Sequence, residues 1–591
     1  MRKLLLFIYL LFSVLVFGQN EQLAQNYFDK GEFEKALSSY EELIKSQPNN
    51  GVYFQKLVAC YQQLQQFENA EKTIQTRLDK FKQPNLLVEL GYNFQLQKKQ
   101  DKAQKYYDQA IAKIEENPTY VYSVASAFES KVLLENALKT YNLAAEKNPK
   151  FNFDYQTALL YGQLGNTDMM IDKMLTYAYT YPDNSVLVQN QLARFMSEDT
   201  GDTFSTTLRK GLLVRAQKNQ DIFWNQYLSW FFVQQKEYSK AFIQEKAIYK
   251  RNPESFYNII NLAQLAIEEK EEETAKEILG YILENTQNQE LQIYAHYYLM
   301  SLKIEKAKEK DYKAIQTELE LLIKQYGVTP YSLNLQTLQA HFLTFNMNDT
   351  EQAKTILKNA SALPLNKYQL AEVKMELGDI LLFEEKFNQA LIYYAQIEED
   401  LKNDEVGHEA SLKVAKTSYF KGDFDWAKKQ LKELKSSVSQ LIANDALEIY
   451  LLINDITVED STQVALKKLA HADYLLYQNK NTAALQQFEL ILQQHKGESI
   501  EDITLLKIGR TYEKIGEYDK ALSQYQKIIE LYPTGIYIDE ALYFSAEIYR
   551  DRNEPEKAKA LYEKILFNHQ DSIYFIDARI KFRQLRGDFT S

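Results

Sequence analysis

Gly516-Glu517-Tyr518-Asp519-Lys520-Ala521-Leu522 recurs almost unchanged at Gly31-Glu32-Phe33-Glu34-Lys35-Ala36-Leu37, and a third copy reads Gly422-Asp423-Phe424-Asp425-Trp426-Ala427. The alanine anchors what surrounds it. From Ala521, Gly509 lies twelve residues before, Tyr512 nine before, Tyr525 four after and Pro533 twelve after; from Ala36 the same offsets give Ala24, Tyr27, Tyr40 and Pro48. These residue types suit a pair of crossing helices. A small residue in the first helix and the anchor in the second let two backbones approach, and the aromatics fill the holes beside the crossing. The Gly between them ends the first helix in the left-handed conformation it adopts at little cost. An acid then opens the second helix, where it favours the dipole.

This pattern resembles the tetratricopeptide repeat, a two-helix unit of about 34 residues. The resemblance implies an all-α, right-handed superhelical solenoid whose first helices line an inner groove that binds protein segments. The anchor recurs at Ala36, Ala70, Ala103, Ala137, Met170, Ala241, Ala275, Ala314, Ala353, Ala390, Ala427, Ala484, Ala521 and Ala558, with an unclear unit near 205. That makes about 14–15 helix-turn-helix repeats. The prolines test the register independently: Pro48, Pro149, Pro182, Pro253 and Pro533 each fall twelve residues after an anchor, and none falls inside an expected helix. Pro555 opens one, where proline is tolerated.

Three irregularities organise the chain. The unit at 190–220 lacks a clear anchor. The gap from Ala427 to Ala484 is long, and Leu441 to Ile456 reads as an extra amphipathic helix. Ser572 to Arg586 is a single helix after the last repeat, read as a cap with Arg579, Lys581, Arg583 and Arg586 outward and Ile576, Ile580 and Phe582 inward. The expected organisation is a leader at 1–18, a solenoid over 19–435, an irregular helix and joint at 436–462, and a separable unit over 463–591. The connection around Pro533-Thr534-Gly535 resembles that of bacterial periplasmic repeat proteins of the outer-membrane assembly and cell-division type.

Residues 1–18 carry Arg2 and Lys3, an apolar run from Leu4 to Phe17, and Gly18, the layout of a secretory signal cleaved before Gln19. No Cys follows the run, so a bacterial lipid anchor is not expected, and the periplasm is the expected compartment. Loss of the two basic residues takes the formal charge from −12 to −14, which disfavours nucleic-acid binding. Cys60 is the only cysteine, so no intramolecular disulfide can form; it reads as a small buried side chain. The six histidines are too far apart in sequence to share one helical turn. Neither a metal-binding spacing, a phosphate-binding loop nor a nucleophile elbow is present, so no cofactor, metal or enzymatic activity is expected.

In the repeat family the exposed side of the first helix lies 18, 15, 11, 8 and 7 residues before the anchor. Near the N-terminus these offsets give Gln55, Gln62, Tyr92, Gln95, Tyr122, Ser126, Glu129 and Tyr155; near the C-terminus they give Arg510, Glu513, Lys514, Tyr543, Glu547 and Arg550. The first set is neutral and tyrosine-rich, which suits peptide recognition; the second is charged. The expected function is a non-catalytic periplasmic scaffold or adaptor for envelope proteins, in envelope assembly, secretion or cell-wall processes. Two rivals are a holdase-type chaperone for exported chains and a cell-wall enzyme with carboxylates in the groove.

Overall fold

The structure, a computed structural model, describes residues 20–198, 203–435, 439–459 and 462–587. The expected leader, Ser436-Ser437-Val438 and part of the irregular unit near 200 lie outside the described residues. The chain is all-α: 82% is helical, with 32 α-helices and no strand among the described residues. It divides into two compact units, 1–234 and 235–591. Each is a succession of helix–turn–helix pairs in which every helix packs on the next, as Asn85–Leu96 does on Gln100–Glu116 in the first unit and Ile500–Lys514 on Tyr518–Leu531 in the second.

The backbone carries the repeat more faithfully than the sequence does. Five residues before an anchor the chain takes a positive φ, at Gly31, Gly165, Gly422 and Gly516 but equally at Gln65, Lys98, Val132, Lys236, Lys270, Asn348, Glu385, Asn479 and Asn553. This single left-handed residue ends each first helix. Its N–H and the next one bond back to carbonyls of the last turn, as Gly516 N does to Glu513 O and Glu517 N to Tyr512 O, satisfying groups the helix end leaves orphaned. Glycine is the comfortable occupant; the turn forms without it because packing on both sides overrides a local cost of about 1–2 kcal/mol. Val132, β-branched and exposed, is the most strained of these residues.

The crossing itself is a tyrosine on a small residue. A Cβ placed on Gly91, Gly378 or Gly509 would come within 2.3, 2.5 and 2.3 Å of the rings of Tyr107, Tyr394 and Tyr525. Each glycine lies twelve residues before its anchor and each tyrosine four after it. The anchors are fully buried, as at Ala36, Ala390 and Ala521. All ten prolines lie in connections, in 3-10 turns or, for Pro555, at a helix start.

Three expectations need correction. Ala314 is exposed, and its neighbour Ile315 takes the buried anchor position. A 3-10 turn at Glu309–Asp311 leads into that second helix in place of the left-handed turn, which moves the register by one. In the final helix, Phe575–Arg586, Phe582 faces the core as expected, but Ile576 and Ile580 are exposed and Ala578 and Leu585 take the inward positions. Lys581 is not on the outer face but pairs with Glu547 and Asp577. The division between compact units falls at 234/235, and one hydrophobic cluster runs from Leu412 to Ile548.

Two substitutions test this reading. Val132→Gly relieves the left-handed strain at an exposed site and is expected to stabilise the protein by up to about 1 kcal/mol in chemical denaturation. Ala521→Leu overpacks a crossing and is expected to cost about 1–3 kcal/mol or more. An unchanged unfolding midpoint would place Ala521 away from any crossing.

Candidate functional site

A buried phenol needs a hydrogen-bond partner, and the core tyrosines find theirs on the groove side of the first helix. Tyr107 donates to Gln95 (2.8 Å), Tyr141 to Glu129 (2.7 Å) and Tyr525 to Glu513 (2.9 Å), each acceptor eight residues before its anchor. Tyr40 donates to Gln25 (3.1 Å), Tyr394 to Asp379 (2.6 Å) and Tyr562 to Glu547, with the acceptor eleven before. Several groove candidates are therefore already engaged by the core: Gln95, Glu513 and Glu547 hold tyrosine hydroxyls. Gln62 folds inward and is buried, a correction to its expected exposure. Of the remaining N-terminal set, Gln55 and Tyr122 are exposed, the latter edge-on to Phe151 and Phe153. Tyr92 lies under the Lys131 ammonium (4.8 Å), and Tyr155 meets Tyr177 ring to ring (5.5 Å).

In the C-terminal set, Arg510, Glu513 and Glu547 do come together, with Lys514, Asp551 and Arg552, around a cavity of about 400 Å³. Arg510 bonds Glu513 (2.8 Å) and covers the Phe544 ring (3.8 Å). Tyr543 and Arg550 are taken up elsewhere, Tyr543 between Lys581 and Asp577, and Arg550 on Glu547 (3.0 Å) and Asp551.

The larger site lies where the candidates were not sought. After the second helix Phe424–Leu434 the next repeat does not start directly; the Gln440–Glu459 helix is inserted first. One face of it, Ile442, Ala446, Ile453 and Ile456, joins Leu431 and Leu434 in the core. The following first helix, Val464–Tyr477, reaches back over two earlier ones. Tyr474 donates to Leu382 O (2.7 Å), Tyr477 to Asp379 O (3.0 Å), Gln478 to Phe383 O (2.7 Å) and Asn479 to Phe345 O (3.3 Å). Leu382, Phe383 and Phe345 lie in the last turns of Lys367–Phe383 and Leu333–Phe345, whose carbonyls have no partner within their own helix. The inserted helix, Lys367–Phe383, Glu405–Lys421 and Val464–Tyr477 line a half-open cavity of about 1050 Å³.

Its lining follows helical spacing on both sides. Glu405, Glu409, Leu412, Lys413, Lys416, Tyr419 and Phe420 come from Glu405–Lys421; Leu441, Asp445, Glu448, Ile449 and Leu452 come from the inserted helix; Asp379, Asp473, Tyr477 and Lys507 are among the others. Residues 18, 15, 11, 8 and 7 before Ala427 are Glu409, Leu412, Lys416, Tyr419 and Phe420. The offsets used at the two ends of the chain were thus sufficient to find this site had they been applied to the middle; the wall supplied by the inserted helix was not deducible from them.

Three ion pairs brace the walls. Lys413 donates to both Asp379 oxygens (2.8 and 2.7 Å), Lys507 pairs with Asp473 (3.0 Å) and Lys416 with Asp445 (3.1 Å). Burial works against the Lys413 charge, but Asp379 outweighs it and lifts the ammonium above its usual value. Burial, reinforced by Asp473, raises the Tyr419 phenol well above its ordinary value, so it stays protonated and donates to that carboxylate (2.8 Å). Nearby, His341 Nδ1 meets Glu376 at 3.1 Å; burial opposes the imidazolium, yet Glu376 raises it overall. Among the described residues no three His, Cys, Asp or Glu side chains are grouped to hold a metal ion, and no helix is long and apolar enough to cross a membrane.

With this geometry in place, the comparisons identify the repeat. Residues 20–50 and 504–535 each match a family model described as tetratricopeptide repeat. The chain is thus a helical-repeat protein carrying tetratricopeptide repeats, units that suggest a protein–protein interaction scaffold. It is also similar to a chain in the structure of Naa15/Naa10 bound to HypK-THB, at 12% identity over 97% of this chain and 96% of that one, TM-score 0.28. A chain of the APC/C hetero-tetramer Cut9–Hcn1 is 13% identical over 92% of this chain and 98% of that one, TM-score 0.20. No curated protein matches the chain in sequence.

One carboxyl beside this region gives a pH test. Burial, and then hydrogen bonding with Asp539, pushes Glu540 up to about 8, with the Glu448 charge contributing. The folded state therefore holds a proton that the unfolded chain releases near the ordinary carboxylate range. Its contribution to stability is present at low pH and lost as pH rises from about 4.5 through about 8, with a slope of up to about 1.4 kcal/mol per pH unit. Glu540→Gln is expected to flatten the fall in stability between these limits, measured by urea unfolding at a series of pH values.

Proposed function

We propose that the chain is a non-catalytic adaptor of the bacterial cell envelope, exported to the periplasm through residues 1–18, which holds a partner protein in the cavity beside its inserted helix. The observation that carries the binding part is that cavity of about 1050 Å³, lined from Glu405–Lys421, the inserted helix and Val464–Tyr477. A tetratricopeptide repeat needs no such extra helix to stack on the next unit, so the helix adds a surface that stacking alone would not supply. The basic start and apolar run of residues 1–18 support export. A single cavity with fixed ion pairs favours a defined partner over the broad capture of unfolded chains. The process served is envelope assembly, secretion or cell-wall work.

A photo-crosslinking residue in place of Phe420, in the chain expressed in its native host, tests this. The expected result is a crosslink to one envelope protein in stoichiometric yield, with a mature N-terminus at Gln19 and recovery in the soluble periplasmic fraction. A crosslinked product that is diverse or absent overturns the adaptor reading; an N-terminus at Met1 or recovery from the cytoplasm overturns the location.

A further inference from the structure

The cavity's lining specifies the chemistry of what fits it. Three lysines stand among seven carboxylates, and each lysine already has a carboxylate of its own, leaving four negative charges in excess. Asp404 accepts the Tyr368 hydroxyl (2.8 Å) and caps its own helix at Val406 N. Among the described residues no ion pair reaches Glu405, Glu409 or Glu448. Two of these, Glu405 and Glu409, are one turn apart at the start of Glu405–Lys421, and Glu448 lies on the inserted helix across the cavity.

The rest of the lining is apolar and not charged in excess. Along Glu405–Lys421 the sequence runs from acids through the paired Lys413 and Lys416 to Tyr419 and Phe420, and Leu382, Ile449, Leu452 and Leu476 add to that apolar lining. The helix N-terminus accounts for part of the preference for acids at 404–409, since its dipole favours negative charge. It does not account for Glu448, in the middle of another helix.

Resting on the adaptor reading above, the geometry points to a cationic amphipathic helix of a partner protein as the occupant, its Lys or Arg side chains on Glu405, Glu409 and Glu448 and its apolar stripe against Phe420 and Leu452. A helix is the form that fits two facing helical stripes, each exposing residues at three- and four-residue intervals. Charge at this rim sets partner choice and on-rate, and makes binding salt-dependent.

The probe is a fluorescent lysine–leucine peptide of about 14 residues with helical spacing, titrated into the full mature chain by anisotropy; its glutamate–leucine counterpart is the control. The basic peptide is expected to bind saturably at one site, weakening with salt, and the acidic one not to bind. Glu409→Lys with Glu448→Lys is expected to weaken binding at least about tenfold. The charge-matched pair Glu530→Lys with Glu563→Lys, on exposed second-helix positions elsewhere, is expected to leave it unchanged. Glu409→Gln with Glu448→Gln, a milder change, is expected to give a smaller loss at an unaltered unfolding midpoint. Equal binding of both peptides, an equal loss in the control pair, or no loss in either cavity pair overturns the assignment. If the basic peptide fails to bind while crosslinking from Phe420 still captures one envelope protein, the adaptor reading stands and the chemistry assigned to its partner is wrong.

Discussion

The contact on which the rest depends is a tyrosine ring laid on a residue without a side chain. At Gly91 under Tyr107, Gly378 under Tyr394 and Gly509 under Tyr525, the ring occupies the space a Cβ would need. The close approach buries the aromatic fully, and its hydroxyl must then find an acceptor. It finds one on the groove face of the first helix, at Gln95, Asp379 or Glu513. Packing in the core thereby fixes the rotamers of polar residues on the surface that binds partners. A repeat protein of this design does not keep core and groove separate. Asp379 is the clearest case, since it takes both the Tyr394 hydroxyl and the Lys413 ammonium inside the cavity.

Most of the fold was legible because the repeat is written mainly in small residues and aromatics at fixed offsets around the crossing. The anchors fall at full burial wherever the spacing is regular, from Ala36 to Ala137, from Ala353 to Ala427 and from Ala484 to Ala558. Legibility failed where the backbone can do without its preferred residue. Val132, Lys98 and Glu385 take the left-handed turn that Gly31 and Gly516 advertise. It also failed at Ala314, where a 3-10 turn replaced that left-handed residue and shifted the anchor to Ile315. At the C-terminus, hydrophobicity alone suggested Ile576 and Ile580 as inward positions, but the helix turns Ala578 and Leu585 to the core beside the expected Phe582.

The candidate site was half legible. In the repeat before Ala427 all five offsets fall on residues that line the large cavity, although Leu412 and Tyr419 among them are buried, as Gln62 is at the other end of the chain. At the ends of the chain the same offsets found residues that the core had already engaged, such as Glu513 and Glu547. What no offset supplies is the opposite wall. The inserted helix was visible in sequence as an amphipathic stretch from Leu441 to Ile456, but its second, cavity-lining face of Leu441, Asp445, Glu448 and Leu452 acquires meaning only beside Glu405–Lys421.

The existence of the cavity depends on the inserted helix being docked, and backbone amide hydrogen exchange on the full chain measures that directly. If Ile442, Ala446, Ile453 and Ile456 sit in the continuous core with Leu431 and Leu466, the amides of Gln440–Glu459 exchange as slowly as those of Glu405–Lys421. Exchange of that helix at the rate of an unfolded segment, with its neighbours still protected, would mean that it does not dock and that the wall of the binding site is absent.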